Sequence, residues 1–204
     1  IDSHVHLSGA FGGAVGFRML AKTGVVTAID FSGDRNVLKG TLEHGMGVGI
    51  NIGFLKAVIP EQTIASSNPS EDDIERFLDL SIEEGALGIK LLGGHYPLEP
   101  DAFSAFVKKA GDRGIFAAAH VGTTRYGSNL DGLKEAIKLA EGHPLYIAHL
   151  NSYCRGLSGK HPVVEAGEAI ELVSSEPNII AESYIADING TAGRCSDGVP
   201  VSGV

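Results

Sequence analysis

Five side chains spread along the sequence, His4, His6, Lys90, His120 and His149, are of types that hold divalent metal ions. In Asp2-Ser3-His4-Val5-His6 the two histidines alternate with Val5. On an extended strand such residues share a face, so both imidazoles point the same way and could chelate one cation, Zn2+ being the commonest choice. Asp2 falls on the same face and could orient a ligand through a hydrogen bond. The other reading of this motif alone is a pair of histidines at a strand end with no metal. His120 closes the run Ile115-Phe116-Ala117-Ala118-Ala119, and His149 closes Leu145-Tyr146-Ile147-Ala148. Single histidines at strand ends are usually structural; equivalent ones in successive units, beside a His-x-His strand, are hard to attribute to packing. Lys90 closes Gly85-Ala86-Leu87-Gly88-Ile89. A strand interior accepts a lysine only with a partner or a lowered pKa. A neutral amine there could take up CO2 to give a carbamate whose two oxygens bridge two cations; alternatively, its ammonium reaches solvent at a rim.

The elements that must position these groups are short apolar runs alternating with amphipathic stretches. The strands are expected over Ile1–His6, Val25–Asp30, Val48–Leu55, Ala86–Leu91, Ile115–His120, Leu145–His149 and Asn178–Ser183. Helices are expected over Glu71–Glu84, Asp101–Asp112, Leu130–Glu141 and Val163–Ser174. Ser70-Glu71-Asp72-Asp73 supplies an N-cap with an acidic first turn, and Pro100-Asp101 opens the next helix. Strand starts recur about every 30 residues, the length of a β-helix unit. Such alternation implies a parallel sheet with helical crossovers. Repetition alone fits an open doubly wound sheet as well as a barrel. Polar residues at the carboxyl ends of four strands favour the (β/α)8 barrel, where those ends converge on one mouth. About seven units are present. The sequence begins at Ile1 inside a strand and stops at Val204 in a Gly/Ser/Pro-rich stretch, so residues 1–204 read as a partial catalytic barrel, with strand eight and a flanking small domain outside the range.

The set Asp2-Ser3-His4-Val5-His6, Lys90, His120 and His149 resembles the metal ligands of the amidohydrolase superfamily, in strand order one, four, five and six. The resembling branch carries a carboxylated lysine and includes dihydroorotases, hydantoinases, isoaspartyl dipeptidases, D-aminoacylases and phosphotriesterase-like enzymes. The resemblance implies that His4 and His6 bind a more buried metal and His120 and His149 a more exposed one. Lys90, carboxylated, would bridge the two cations, expected to be zinc. It further implies that paired cations about 3.5–4 Å apart make hydroxide available near neutral pH. A carboxylate then carries the proton to the leaving nitrogen. In the family that carboxylate is an aspartate after strand eight. Asp197, in Cys195-Ser196-Asp197-Gly198, is the one candidate within the range, but it follows the seventh strand too closely for a whole unit to intervene. The expected position is beyond Val204.

Loops after the strands would line the mouth, which makes Asn151, Tyr153 and Arg155 candidates for substrate contact, Arg155 by paired hydrogen bonds to a carboxylate. Arg155 also reads as a surface residue paired with a helix carboxylate. His95 with Tyr96, and Arg125 with Tyr126, are further candidates. Gly9 through Gly16 reads as a glycine-rich loop giving backbone access to substrate; it matches neither a phosphate-binding loop nor a dinucleotide fingerprint. His44, His143 and His161 lie away from strand tips and read as structural or exposed. Cys154 has no accompanying Cys-His signal for a nucleophile.

Bulk composition bounds the rest. With 43% hydrophobic and 20% charged residues the chain is an ordinary globular one. Its net charge of −9, with no basic stretch, argues against nucleic acid or an anionic membrane surface as partner. Two cysteines cannot build a disulfide framework, so a reducing, cytoplasmic setting is expected. No apolar run approaches the roughly 20 residues of a membrane span. The expected activity is hydrolysis of a C–N bond in an amide, cyclic amide, N-acyl amino acid or dipeptide. Alternatives are hydrolytic deamination of a heterocycle, phosphoester or lactone hydrolysis, and a non-catalytic binding or assembly protein of the same fold. The partner is a small-molecule substrate, and a homo-oligomer is left open.

Overall fold

The alternation of apolar runs and amphipathic stretches folds as seven parallel strands joined by helices. The computed structural model describes residues 1–7, 13–36, 38–39, 49–184, 195–196 and 199–200. The chain divides into two units, Ile1–Ala57 with Arg76–Lys90, and Val58–Glu75 with Leu91–Val204.

The first unit contains β1 (Asp2–Val5), α1 (Gly13–Lys22), β2 (Thr27–Gly33), most of β3 (Asn51–Val58) and the start of β4 (Gly88–Leu92). Strand order follows chain order. β1 pairs in parallel with β2, Val5 opposite Asp30, and β2 with β3, Asp30 opposite Phe54. Phe54, Leu55, Ala57 and Val58 of β3 are all buried, the near-continuous apolar run of a strand covered on both faces. Lys56 interrupts it, and its ammonium meets Glu84 at 2.5 Å. Leu7, Phe17, Ala28, Leu38 and Phe54 form the core.

Here one expectation is corrected. Gly13 to Gly16 do not belong to a loop but open α1. Phe17 packs into the core, and a side chain at Gly16 would sit 2.7 Å from the Leu7 methyl. Packing of that face outweighs the roughly 1 kcal/mol that each glycine costs a helix. Residues 9–12, like His44, lie outside the described residues.

The second unit takes the rest of β4, then α3 (Pro100–Asp112), β5 (Phe116–His120), α4 (Leu130–Ala140), β6 (Leu145–Ile147), a 3-10 turn (Leu150–Tyr153), α5 (Pro162–Ser174) and β7 (Ile179–Ala181). α2 (Glu71–Glu83) spans the division. β5 pairs with β6 and β6 with β7, all parallel. A two-residue pair, β8 (Cys195–Ser196) and β9 (Val199–Pro200), is antiparallel. Asp197 between them lies outside the described residues.

Helix starts follow the sequence signals. Ser70 Oγ accepts from the Asp73 amide at 3.2 Å while Asp73 Oδ2 accepts from Ser70 N at 3.3 Å, a reciprocal cap at the start of α2. Asn129 Oδ1 accepts from Gly132 N at 2.9 Å and starts α4. Phe103, Phe106, Val107 and Ala110 make the buried stripe of α3, each aromatic ring contributing about 1.5–3 kcal/mol of burial. Ser104 Oγ donates to Leu139 O at 2.9 Å and ties α3 to α4. Among the described residues, no helix is long and apolar enough to cross a membrane.

Candidate functional site

In the first unit β1 includes His4 but stops at Val5, so His6 directly follows the strand instead of closing it as expected. The His4 and His6 rings lie 5.2 Å apart between centroids, at 71°, with His4 half-buried and His6 exposed. Asp2 Oδ1 accepts from the His4 backbone amide at 3.2 Å. Phe31, on β2, joins this pair to the lysine. Its ring stacks on His4 at 4.1 Å and 20°, and Lys90 Nζ stands 4.8 Å above its centroid. Lys90 sits in the middle of β4 at 1% exposure rather than at a strand rim. The ring face thus lines one side of the buried Lys90 nitrogen. Asp30, fully buried, accepts from Leu7 N at 3.2 Å and fixes the exit of β1. From the sequence alone neither Phe31 nor Asp30 has a part in the site; the aromatic directly after an apolar strand was the available signal.

In the second unit His120 and His149 come together, their rings 4.6 Å apart at 70°. His120 ends β5 and is 5% exposed. His149 does not end a strand, as the sequence suggested. β6 stops at Ile147, and His149 adopts a left-handed backbone (φ 39, ψ 62) that starts the 3-10 turn. That conformation is uncommon for a residue with a Cβ and clusters at functional positions. Glu182, just past β7, holds it: Glu182 Oε1 accepts from His149 N at 2.6 Å and its carbonyl accepts from Leu150 N at 2.7 Å. Glu182 was missed because only the folded chain brings it back to residue 149.

The remaining candidates fall around this pair. Tyr153 is fully buried, its hydroxyl donating to Ala148 O at 2.8 Å and accepting from Val121 N at 3.1 Å. Its ring lies 5.9 Å from His120 and 5.6 Å from His149. Burial pushes its phenol pKa far up, so it stays neutral. This geometry makes Tyr153 a brace under both histidines. Asn151 donates to Tyr184 O at 3.4 Å, and Arg155 is half-buried. His95 lies 5.4 Å from His120, ring to ring; it is exposed, yet desolvation on its packed side lowers its pKa. With Tyr96, Pro60, Glu61, Gln62 and Pro97 it lines an open depression of about 450 Å3. Tyr126 is 44% exposed. Arg125 pairs at 3.7 Å with the buried carboxylate of Glu135, which also accepts from Thr123 Oγ1 at 2.5 Å.

Cys154 donates its thiol to Leu150 O, and burial raises its pKa, which disfavours a thiolate. His143 and His161 have structural parts: the His143 carbonyl accepts from Asn178, and His161 Nδ1 caps α5 by accepting from Val163 N at 3.3 Å. Among the described residues, no three His, Cys, Asp or Glu side chains are arranged to hold a metal ion. What the described residues offer is two histidine pairs, one in each unit, and a buried lysine.

No protein-family model and no curated protein matches the chain. Among solved structures it is similar to part of the formyltransferase/hydrolase complex from Methylorubrum extorquens, in complex with methylofuran, at 15% identity and a TM-score of 0.58, covering 84% of this chain and 38% of that one. It is also similar to ochratoxinase from A. niger (14% identity, TM-score 0.45, 89% of this chain and 62% of that one). A third is the mandelate racemase/muconate lactonizing enzyme from Roseiflexus sp. (14% identity, TM-score 0.46, 91% and 48%). The chain spans less than two thirds of the length of each. At these identities the likeness to the Methylorubrum chain is one of fold.

Proposed function

We propose that this chain is the greater part of the catalytic (β/α)8 barrel of a metal-dependent hydrolase of amidohydrolase type. The observation that carries the reading is the meeting of His120, at the end of β5, and His149, at the start of the 3-10 turn after β6, with rings 4.6 Å apart. Two imidazoles brought together in this way make a half-site for a cation, and His4 with His6 makes another. The proposed ligand set is His4, His6, Lys90, His120 and His149, with Lys90 as a carbamate. The hydrolase named in the Methylorubrum complex is consistent with this reading.

Bound divalent cations would supply an activated water and polarise a substrate carbonyl. The chain's own residues supply the rest. Phe31 gives His4 and Lys90 a common apolar floor, which keeps bulk water from that side of both. Glu182 and Tyr153 hold the backbone and ring environment of His149. Asn151 and Arg155, following the 3-10 turn or within it, are the proposed contacts for a carboxylate-bearing substrate, with His95 and Tyr126 on the loops after β4 and β5. The proposed substrates are amides, cyclic amides, N-acyl amino acids or dipeptides, and the proton carrier is an aspartate outside the described residues.

The test is elemental analysis of the full-length protein together with a hydrolysis screen of N-acyl amino acids, dipeptides and cyclic ureides. Bound divalent metal, reduced in His120→Ala and His4→Ala, with turnover of one class, is the expected result. A full-length protein that takes up no divalent metal refutes the reading.

A further inference from the structure

His120 leaves β5 with one edge of its ring already committed. Its Nε2 lies 2.7 Å from Ser128 Oγ, and both residues are buried, at 5% and 7% exposure. Gly94 closes the same edge from the loop after β4: a Cβ built there would stand 2.1 Å from Nε2 and 2.6 Å from Cδ2. Ser128 is itself firmly placed. It directly precedes Asn129, which caps α4, and the loop before it is tied by Thr123 N donating to Tyr126 O at 2.8 Å. A group approaching His120 at Nε2 would have to displace both the hydroxyl and the Gly94 backbone, whereas Nδ1 lies on the other side of the ring.

We propose that Ser128 is a positioning residue, whose hydroxyl accepts the Nε2–H of His120 and so fixes the imidazole as the tautomer with a basic Nδ1. A metal ligand needs its other ring nitrogen held in this way, because the hydrogen bond sets both tautomer and ring direction. The inference deepens the metal-centre reading and rests on it for the direction of the hydrogen bond as well as for its metal-binding arm.

The experiment uses the full-length protein with 15N-labelled histidine, metal-free, above the titration range of imidazole. The His120 resonances are assigned by their loss in His120→Gln. The wild type is expected to show the Nε2–H tautomer, Ser128→Ala a mixture of the two, and Ser128→Thr, which keeps a hydroxyl, the wild-type pattern. Titration with zinc alone is expected to show affinity falling about 10- to 100-fold in Ser128→Ala and restored in Ser128→Thr. A purely structural role would lower thermal stability without moving the tautomer. An Nδ1–H tautomer in the wild type, or an unchanged tautomer in Ser128→Ala, overturns the proposal. If the wild type shows the expected tautomer shift yet takes up no zinc, the part assigned to Ser128 stands and the metal-centre reading fails.

Discussion

Replacing Tyr153 by Phe removes one oxygen atom and leaves the ring in place, so its effect can be worked from contacts alone. The hydroxyl is the partner of both Val121 N, at 3.1 Å, and Ala148 O, at 2.8 Å. Val121, Ala148 and Tyr153 are each 0% exposed, so no water replaces the lost oxygen. An orphaned buried donor or acceptor costs about 1–3 kcal/mol, and two of them together about 2–6 kcal/mol. In a chain of this size each kcal/mol moves Tm by roughly 2–4 °C, so a fall of about 4–24 °C is expected. The pH dependence supplies a second reading of the same group. Burial raises the folded phenol pKa above the ordinary value near 10. The stability this contributes is complete below the unfolded pKa and is lost as pH rises above it, because the unfolded chain ionises first. Tyr153→Phe lacks that loss, so the stability gap between the two proteins should shrink above about pH 10. Urea and thermal unfolding followed by circular dichroism measure both effects. A variant within 0.5 kcal/mol of wild type, a tolerance ordinary for surface changes, would mean that the hydroxyl is not the brace described.

Three other outcomes are expected. Gly94→Ala forces a methyl onto the His120 ring and should destabilise the protein by about 1–3 kcal/mol, read by urea denaturation, with changed His120 resonances; unchanged spectra would contradict the close approach. The left-handed backbone at His149 should tolerate asparagine better than valine by about 1–2 kcal/mol, so equal unfolding midpoints for His149→Asn and His149→Val would tell against that conformation. The Glu165 carboxylate accepts from Ser158 Oγ, Ser158 N and Gly156 N, and the Ser158 hydroxyl is the main cause of its lowered pKa. Its contribution is present above the unfolded carboxylate pKa and disappears as pH falls through the folded one. Glu165→Gln should therefore lose stability at neutral pH, and the gap to wild type should narrow on acidification. A gap independent of pH would show that the charge is not what the loop uses.

How far the sequence could be read depended on the range of the interaction. All seven strands of the parallel sheet are where the apolar runs place them, with edges shifted by a few residues, because burial on both faces leaves a local signature. Ser70 and Pro100 mark helix starts for equally local reasons. α1 was hidden because its glycines signal a loop, while the decisive contact, Phe17 in the core, depends on distant residues. The two histidine pairs were legible as residue types at strand ends. Their supports were not: Phe31 meets Lys90 only once β2 and β4 are in place, and Ser128 meets His120 only through the fold of the intervening loop. The depression containing Tyr96 draws Pro60, Glu61 and Gln62 from a segment that carries no motif.

The reach of Glu182 back to the His149 amide, over 33 residues, sets a timetable for the newborn chain. At about 5–20 residues per second, translation separates the two by roughly 2–7 s. Hairpins and helices form within microseconds. The helix α4, between β5 and β6, therefore has ample time to form while the carboxylate that pins His149 is still unmade. Released chains ending before and after residue 182 should therefore differ at His149 and little along α4.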